Sequence, residues 1–285
     1  MTTDARELPL QADDGHRWSL PARLPAQPRA SLLWLPALGV AARNYLPFAD
    51  ALAALGIAVF VHEWRGFGSS NLRASRESDW GYHALLTRDL PASEAAIAQA
   101  LPGLERVVGG HSLGGQLACC RLALRPQAAQ RLWLVASGAP YWRAFPLPQR
   151  LWLPLAYRFL PWLAERRGSL PGRTIGFGGN EARGVIGDWA RTALSGRYAA
   201  AGLETDLEAA LSRVTVPVRA VALRDDWLCP ESSLRFLLSK LRPARSRVVQ
   251  MDAGDLQVRA DHFAWLQEPG AIARTLAGDL SIELG

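Results

Sequence analysis

The sequence predicts an α/β fold: a mostly parallel central sheet, helices on both of its faces, and a helical insertion late in the chain. Three observations predict it. Strand-length apolar runs alternate with helix-compatible segments along most of the chain, as parallel βαβ units require. One strand-to-helix junction, Val107-Val108-Gly109-Gly110-His111-Ser112-Leu113-Gly114-Gly115, carries Gly-x-Ser-x-Gly. Between residue 141 and about residue 210 the alternation stops, and tryptophans, prolines and glycines take over.

Taken in order, residues 6–24 read as an edge hairpin. Glu7 to Ala12 and His16 to Arg23 are its arms, and Asp13-Asp14-Gly15 is its turn. Ala30 to Leu38 is a buried strand ending in Pro36-Ala37-Leu38-Gly39. A helix from about Asn44 to Leu55 follows, with Gly56 placed to close it. Ile57 to Glu63 is the next buried strand. Residues 80–100 are mostly helical, and Pro91 and Ser93 mark a kink or a restart. Arg106 to Gly110 is the strand that leads to Ser112, and a helix runs from Gly115 to Leu124, ahead of Pro126. Leu132 to Ala136 is another strand.

Residues 141–210 show no strand signal and read as a helical cap over the sheet edge. The core is then 1–140 with 211–285. Alternation resumes with strand Val216 to Leu223, helix Glu231 to Leu241, strand Arg247 to Asp252, and a last helix from about Phe263 to Leu280.

The 285 residues are enough for a sizeable core, and 49% apolar with 20% charged is an ordinary globular balance. The net charge is +6, but all the basic residues except Lys240 are arginines scattered along the chain. That distribution points to a GC-rich coding sequence rather than to nucleic-acid binding. Cys119, Cys120 and Cys229 have neither disulfide nor metal spacing, and the first two are expected to pack in the core. Residues 1–10 lack the apolar stretch of a secretory signal. The most apolar run, Leu151 to Leu163, is interrupted by Pro154, Arg158 and Pro161 and falls short of the roughly 20 residues a bilayer span needs. The expectation is a cytoplasmic protein with no transmembrane segment, no nucleic-acid partner, no metal and no organic cofactor.

A bare Gly-x-Ser-x-Gly arises by chance in about one chain in ten of this length. The flanking strand and helix give it weight. A serine on a sharp turn needs neighbours without Cβ atoms, and the N–H of Leu113, at a helix N-terminus, favours an oxyanion. Such a serine needs a base. Of five histidines, His16 is in the hairpin, His62 in a strand, His83 on a helix, and His111 points away from its neighbour on the turn. His262 alone follows the last strand, on the loop that opens the final helix. An acid should come between them on a loop after a strand, and Asp225 and Asp226 both end the Val216–Leu223 run. Asp252, Asp255 and Asp261 are weaker candidates, being too near His262 in sequence.

These residues resemble the α/β-hydrolases, in particular the bacterial capped hydrolases related to monoglyceride lipases and serine aminopeptidases. Gly110-His111-Ser112-Leu113-Gly114 resembles the nucleophile elbow. Trp64-Arg65-Gly66-Phe67-Gly68-Ser69 is similar to the Arg-Gly-x-Gly-x-Ser loop, Asp225 to Pro230 to the acid loop, and Asp261-His262-Phe263 to the histidine loop. The resemblance covers nearly the whole chain and is weakest in the cap. It implies a Ser112–His262–Asp226 triad, because the family acid tends to stand four residues before a proline, as Asp226 does before Pro230. Asp225 is then a cap. It also implies a second oxyanion donor after the first buried strand, assigned to the Leu38 N–H beside that of Leu113. Here Pro36 stands where the family usually has histidine, and Glu63 where it commonly has aspartate. Arg65 is expected to pair with loop carbonyls or Glu63.

The resulting expectation is an esterase, lipase-like, acting on a small-molecule ester or acyl substrate with an apolar acyl group. The alternatives are an acyltransferase, an amidase or peptidase, a cofactor-free haloperoxidase, or a binding protein that kept the fold without turnover.

Overall fold

The computed structural model describes residues 3–242 and 244–281. The expected core segments reach residues 1 and 285, so their outermost residues, 1–2 and 282–285, lie outside the described ones. The main sheet is built from β1 (Thr3–Gln11), β2 (Arg17–Pro25), β3 (Ala30–Leu35), β4 (Ile57–Val61), β5 (Glu105–His111) and β6 (Arg131–Val135). A small pair, β7 (Leu170–Pro171) and β8 (Asn180–Glu181), stands apart, and β9 (Val218–Leu223) and β10 (Ser246–Met251) complete the sheet. Its eight strands are ordered β1-β2-β4-β3-β5-β6-β9-β10. β1 with β2 and β2 with β4 pair antiparallel, and every other neighbouring pair is parallel.

The apolar runs explain this arrangement. Every residue of β3, β4 and β6 is buried, which only a sheet covered on both faces permits. Side chains alternate between faces with period two. Leu33, Leu35, Phe60, Leu132 and Leu134 enter one core layer, with Leu117 and Leu122 of the Leu113–Leu124 helix. Leu32, Trp34, Val59, Val61 and Trp133 enter the other, with Phe48 and Leu52 of the Leu46–Ala53 helix and Ile272 and Leu276 of the Gly270–Ala277 helix.

Several elements differ from the sequence expectation. The strand expected to reach Leu38 ends at Leu35, because Pro36 cannot donate to the ladder. The helix expected from Asn44 starts as a tight turn, Ala42–Tyr45, and becomes regular at Leu46. The restart near Pro91 takes the form of a wide π-type turn at Leu85–Asp89 leading into the Leu90–Ala100 helix. The elbow helix begins at Leu113, two residues before the expected start. The last helix is broken into a short turn, Ala264–Leu266, and the Gly270–Ala277 helix, at Pro269-Gly270.

Within residues 141–210, no strand was expected, yet β7 and β8 pair antiparallel. Two-residue strands are too short to leave a period-two signal. The run expected to be broken at Pro154 and Pro161 lies within a continuous helix, Leu147–Arg167. Packing against the Arg183–Ser195 helix offsets the hydrogen bonds that the two prolines remove. Among the described residues, no helix is long and apolar enough to cross a membrane.

Candidate active site

Ser112 sits where β5 turns into the Leu113–Leu124 helix, with φ +55° and ψ −120°. That conformation is strained for any residue with a Cβ, and the contacts around it leave the chain little choice. A Cβ on Gly110 would strike the Gly114 backbone, and one on Gly114 would strike the carbonyl oxygens of Leu35 and Pro36. The glycines thus let the elbow press against the end of β3. The Ser112 N–H is held by the Val135 carbonyl at 3.2 Å.

His262 follows β10 and is buried. Its Nδ1 lies 2.7 Å from Oδ2 of Asp226. Oδ1 of Asp226 accepts the N–H groups of Leu228 and Cys229 at 3.0 and 2.9 Å, which fixes the carboxylate on the loop after β9. A carboxylate can only accept, so Nδ1 carries a hydrogen, and in the neutral ring the lone pair is on Nε2. The Phe263 ring packs edge-on against the imidazole, centroids 4.7 Å apart. Ser112, His262, Leu113 and Leu38 all border one cavity of about 460 Å³.

The other acids near this loop have separate work. Asp225 is exposed. Asp261 caps the N–H groups of Phe263 and Ala264, and Asp252 forms a reciprocal capping box with Asp255. His16 bonds Asp89 and Ser70, and His62, one residue past β4, bonds Ser93. Burial pushes the His62 imidazole down to about 3. His111 is fully buried between Tyr45 and His262.

On the loop after β3, Trp64 Nε1 donates to the Pro36 carbonyl at 2.9 Å and the Ala37 N–H donates to the Tyr45 hydroxyl at 2.9 Å. Two aromatic side chains therefore hold the loop in which Pro36 replaces the familiar histidine. Among the described residues, the N–H groups of Leu38 and Leu113 have no protein acceptor. Next to Leu38, Gly39 (φ +78°) is packed directly on Gly178 and Gly179.

The Arg65 expectation needs correction. Its guanidinium pairs with Asp89 at 2.6 and 2.7 Å and with Asp14 at 2.7 Å, not with Glu63 or loop carbonyls. Burial alone would raise the Asp89 carboxyl, but hydrogen bonds from His16 and Arg65 hold it below its ordinary range. Glu63 instead turns inward to accept the N–H groups of Ala42 and Ser69, and burial raises its carboxyl. Glu181 had no signal in the sequence. It is buried on β8, accepts the Gly179 N–H at 2.8 Å, and lies beside Leu38, Gly39 and Leu113. Burial pushes its carboxyl up to about 7. Tyr45 was also silent, because nothing in its spacing ties it to His111.

The profile of the serine aminopeptidase S33 family matches residues 26–254. The chain belongs to that family. Among solved structures it is similar to a bacterial membrane phospholipase A (18% identity, 97% of this chain and 86% of that one, TM-score 0.62). It is also similar to a hydrolase from Pseudomonas aeruginosa (20%, 97% and 99%, 0.60). A third likeness is to an esterase from Pyrococcus furiosus (13%, 99% and 94%, 0.61). At these identities the likenesses show the α/β-hydrolase fold alone. No curated protein matches the chain in sequence. The chain is an α/β hydrolase, and such enzymes act on small molecules.

Proposed function

We propose that this α/β hydrolase cleaves carboxylic esters of apolar acyl groups through Ser112, His262 and Asp226. The observation that carries the reading is the cavity shared by Ser112 and His262. Apart from those two, its walls are mostly apolar, with Phe145, Trp152, Tyr157, Leu160, Phe177 and Trp189 prominent. No aspartate or glutamate borders it among the described residues. An aminopeptidase must hold its substrate's α-ammonium group, and a carboxylate is the usual means. The lining therefore favours an acyl ester over a peptide with a free amino end.

In this reading His262 Nε2 takes the Ser112 proton as Oγ attacks the carbonyl carbon. The developing oxyanion rests on the Leu38 and Leu113 N–H groups. The alcohol leaves with the proton from His262, and water then attacks the acyl-enzyme with His262 again as base. Asp226 holds the imidazole in the tautomer this requires. Residues 141–210 act as the cap that supplies the acyl pocket, and the core is formed by 1–140 and 211–285.

Hydrolysis of p-nitrophenyl esters from C2 to C12, beside an aminoacyl anilide, tests the substrate class. The reading expects kcat/KM to rise with chain length and the anilide to be poor. Flat activity across the series, or a preference for the anilide, would contradict it.

A further inference from the structure

We propose that the outer face of the Leu147–Arg167 helix docks this protein on an anionic phospholipid surface, with the mouth of the Ser112 cavity turned toward the lipid. This goes beyond ester cleavage and does not depend on it, because docking is read by binding alone.

The helix is apolar on two sides and covered on one. Leu153, Tyr157, Leu160 and Ala164 are buried, and Tyr157 meets Trp189 edge-on at 5.0 Å. Leu147, Leu151, Leu155, Phe159 and Trp162 recur at helical spacing on the opposite side and are exposed by 69, 75, 69, 51 and 52%. A continuous stripe of this kind is unusual on a free surface and marks a contact site. It also continues into the cavity. Phe159, Trp152, Trp227 and Phe263 are all exposed, and all four border the space that contains Ser112. Trp152 and Trp227 lie 6.4 Å apart at its rim.

Charge selects the occupant. Residues 141–180 contain six arginines and a single acidic residue, Glu165. All six arginines are exposed. A second copy seated face to face would set this arginine cluster against itself and close both cavity mouths. An anionic lipid surface complements the charge and accepts leucine, phenylalanine and tryptophan side chains just below its headgroups, while arginine stems reach back to the phosphates.

The test uses the full chain carrying Ser112→Ala, so that lipid turnover does not interfere. It is floated with vesicles of phosphatidylcholine alone, and of phosphatidylcholine and phosphatidylglycerol in equal parts. Binding to the anionic vesicles is expected to exceed binding to the neutral ones by about tenfold or more and to weaken with salt. Leu151→Glu with Leu155→Glu should cut it by about tenfold or more. Both positions are exposed and lie outside the cavity, so the circular dichroism spectrum and p-nitrophenyl acetate turnover in the Ser112 background should not change. Replacing Arg166 and Arg167 by glutamine should lower binding to the anionic vesicles only. No flotation, or flotation that the leucine pair leaves intact, would overturn the proposal. So would a dimer in light scattering that the leucine pair dissolves, since it would assign the face to a second copy. Failure of docking leaves soluble-ester turnover readable, and absence of turnover leaves flotation readable.

Discussion

The Tyr45 hydroxyl lies 2.8 Å from Nδ1 of His111. Its oxygen also accepts the Ala37 N–H at 2.9 Å, so the one phenol bonds both groups. Burial, together with the neighbouring His262, pushes the His111 imidazole well below its ordinary range and keeps it neutral. One phenol thus fastens the loop bearing Leu38 to the residue that precedes Ser112.

Tyr45→Phe removes that link while keeping the ring. The Ala37 N–H and His111 Nδ1 lose a buried partner, so stability should fall by about 1–3 kcal/mol in urea denaturation. If the Leu38 N–H is an oxyanion donor, kcat should fall by about 10- to 100-fold with little change in KM. An unchanged kcat would separate this loop from catalysis.

Asp226→Asn and Asp225→Asn distinguish the two candidate acids. Asparagine at 226 can turn its amide toward Nδ1 and favour the other imidazole tautomer, so kcat should drop by about 10³- to 10⁴-fold. At exposed Asp225 the change should stay within about twofold. Steady-state kinetics on one ester suffice, and equal losses would contradict the assignment.

Glu181 gives the fold a pH signature. Its carboxyl titrates near 7 in the folded protein and ordinarily near 4.5, so the fold favours the neutral form. Stability from this group is present below pH 4.5, is lost as pH rises toward 7, and is level above. The loss amounts to roughly 3 kcal/mol. Glu181→Gln keeps an acceptor for the Gly179 N–H and should remove this part of the slope. Parallel pH–stability curves for the two proteins would count against the assignment.

Asp89 is fully buried between Arg65 and His16. Asp89→Ala leaves a buried guanidinium with Asp14 alone, so stability should fall by about 3–5 kcal/mol in chemical denaturation. A loss below about 1 kcal/mol would mean that Arg65 finds solvent or another partner.

The parallel core was legible because strands covered on both faces are apolar throughout, as Ala30–Leu35 and Ile57–Val61 are. The placement of Ser112 on a strand-to-helix turn, and of Asp226 and His262 on loops after strands, was legible because the glycine spacing and the order of the loops constrain where each falls; their joint action in catalysis is the proposal. Tyr45 and Glu181 were not, because their roles arise from contacts between segments far apart in sequence, Tyr45 with His111 and Glu181 with the loop after β3. Arg65 was misread for a related reason. Its partner Asp89 stands 24 residues on, brought inward by the wide turn ahead of Pro91. The Leu147–Arg167 helix hid behind its prolines, since propensity counts their cost but not the packing that offsets it.

The most direct measurement is intact mass after treatment with a fluorophosphonate, on the wild type, Ser112→Ala and His262→Ala. The account predicts one adduct on the wild type, none on Ser112→Ala, and labelling of His262→Ala slowed by at least about 10³-fold. Labelling of Ser112→Ala, or a wild type that takes no adduct, would contradict an activated Ser112.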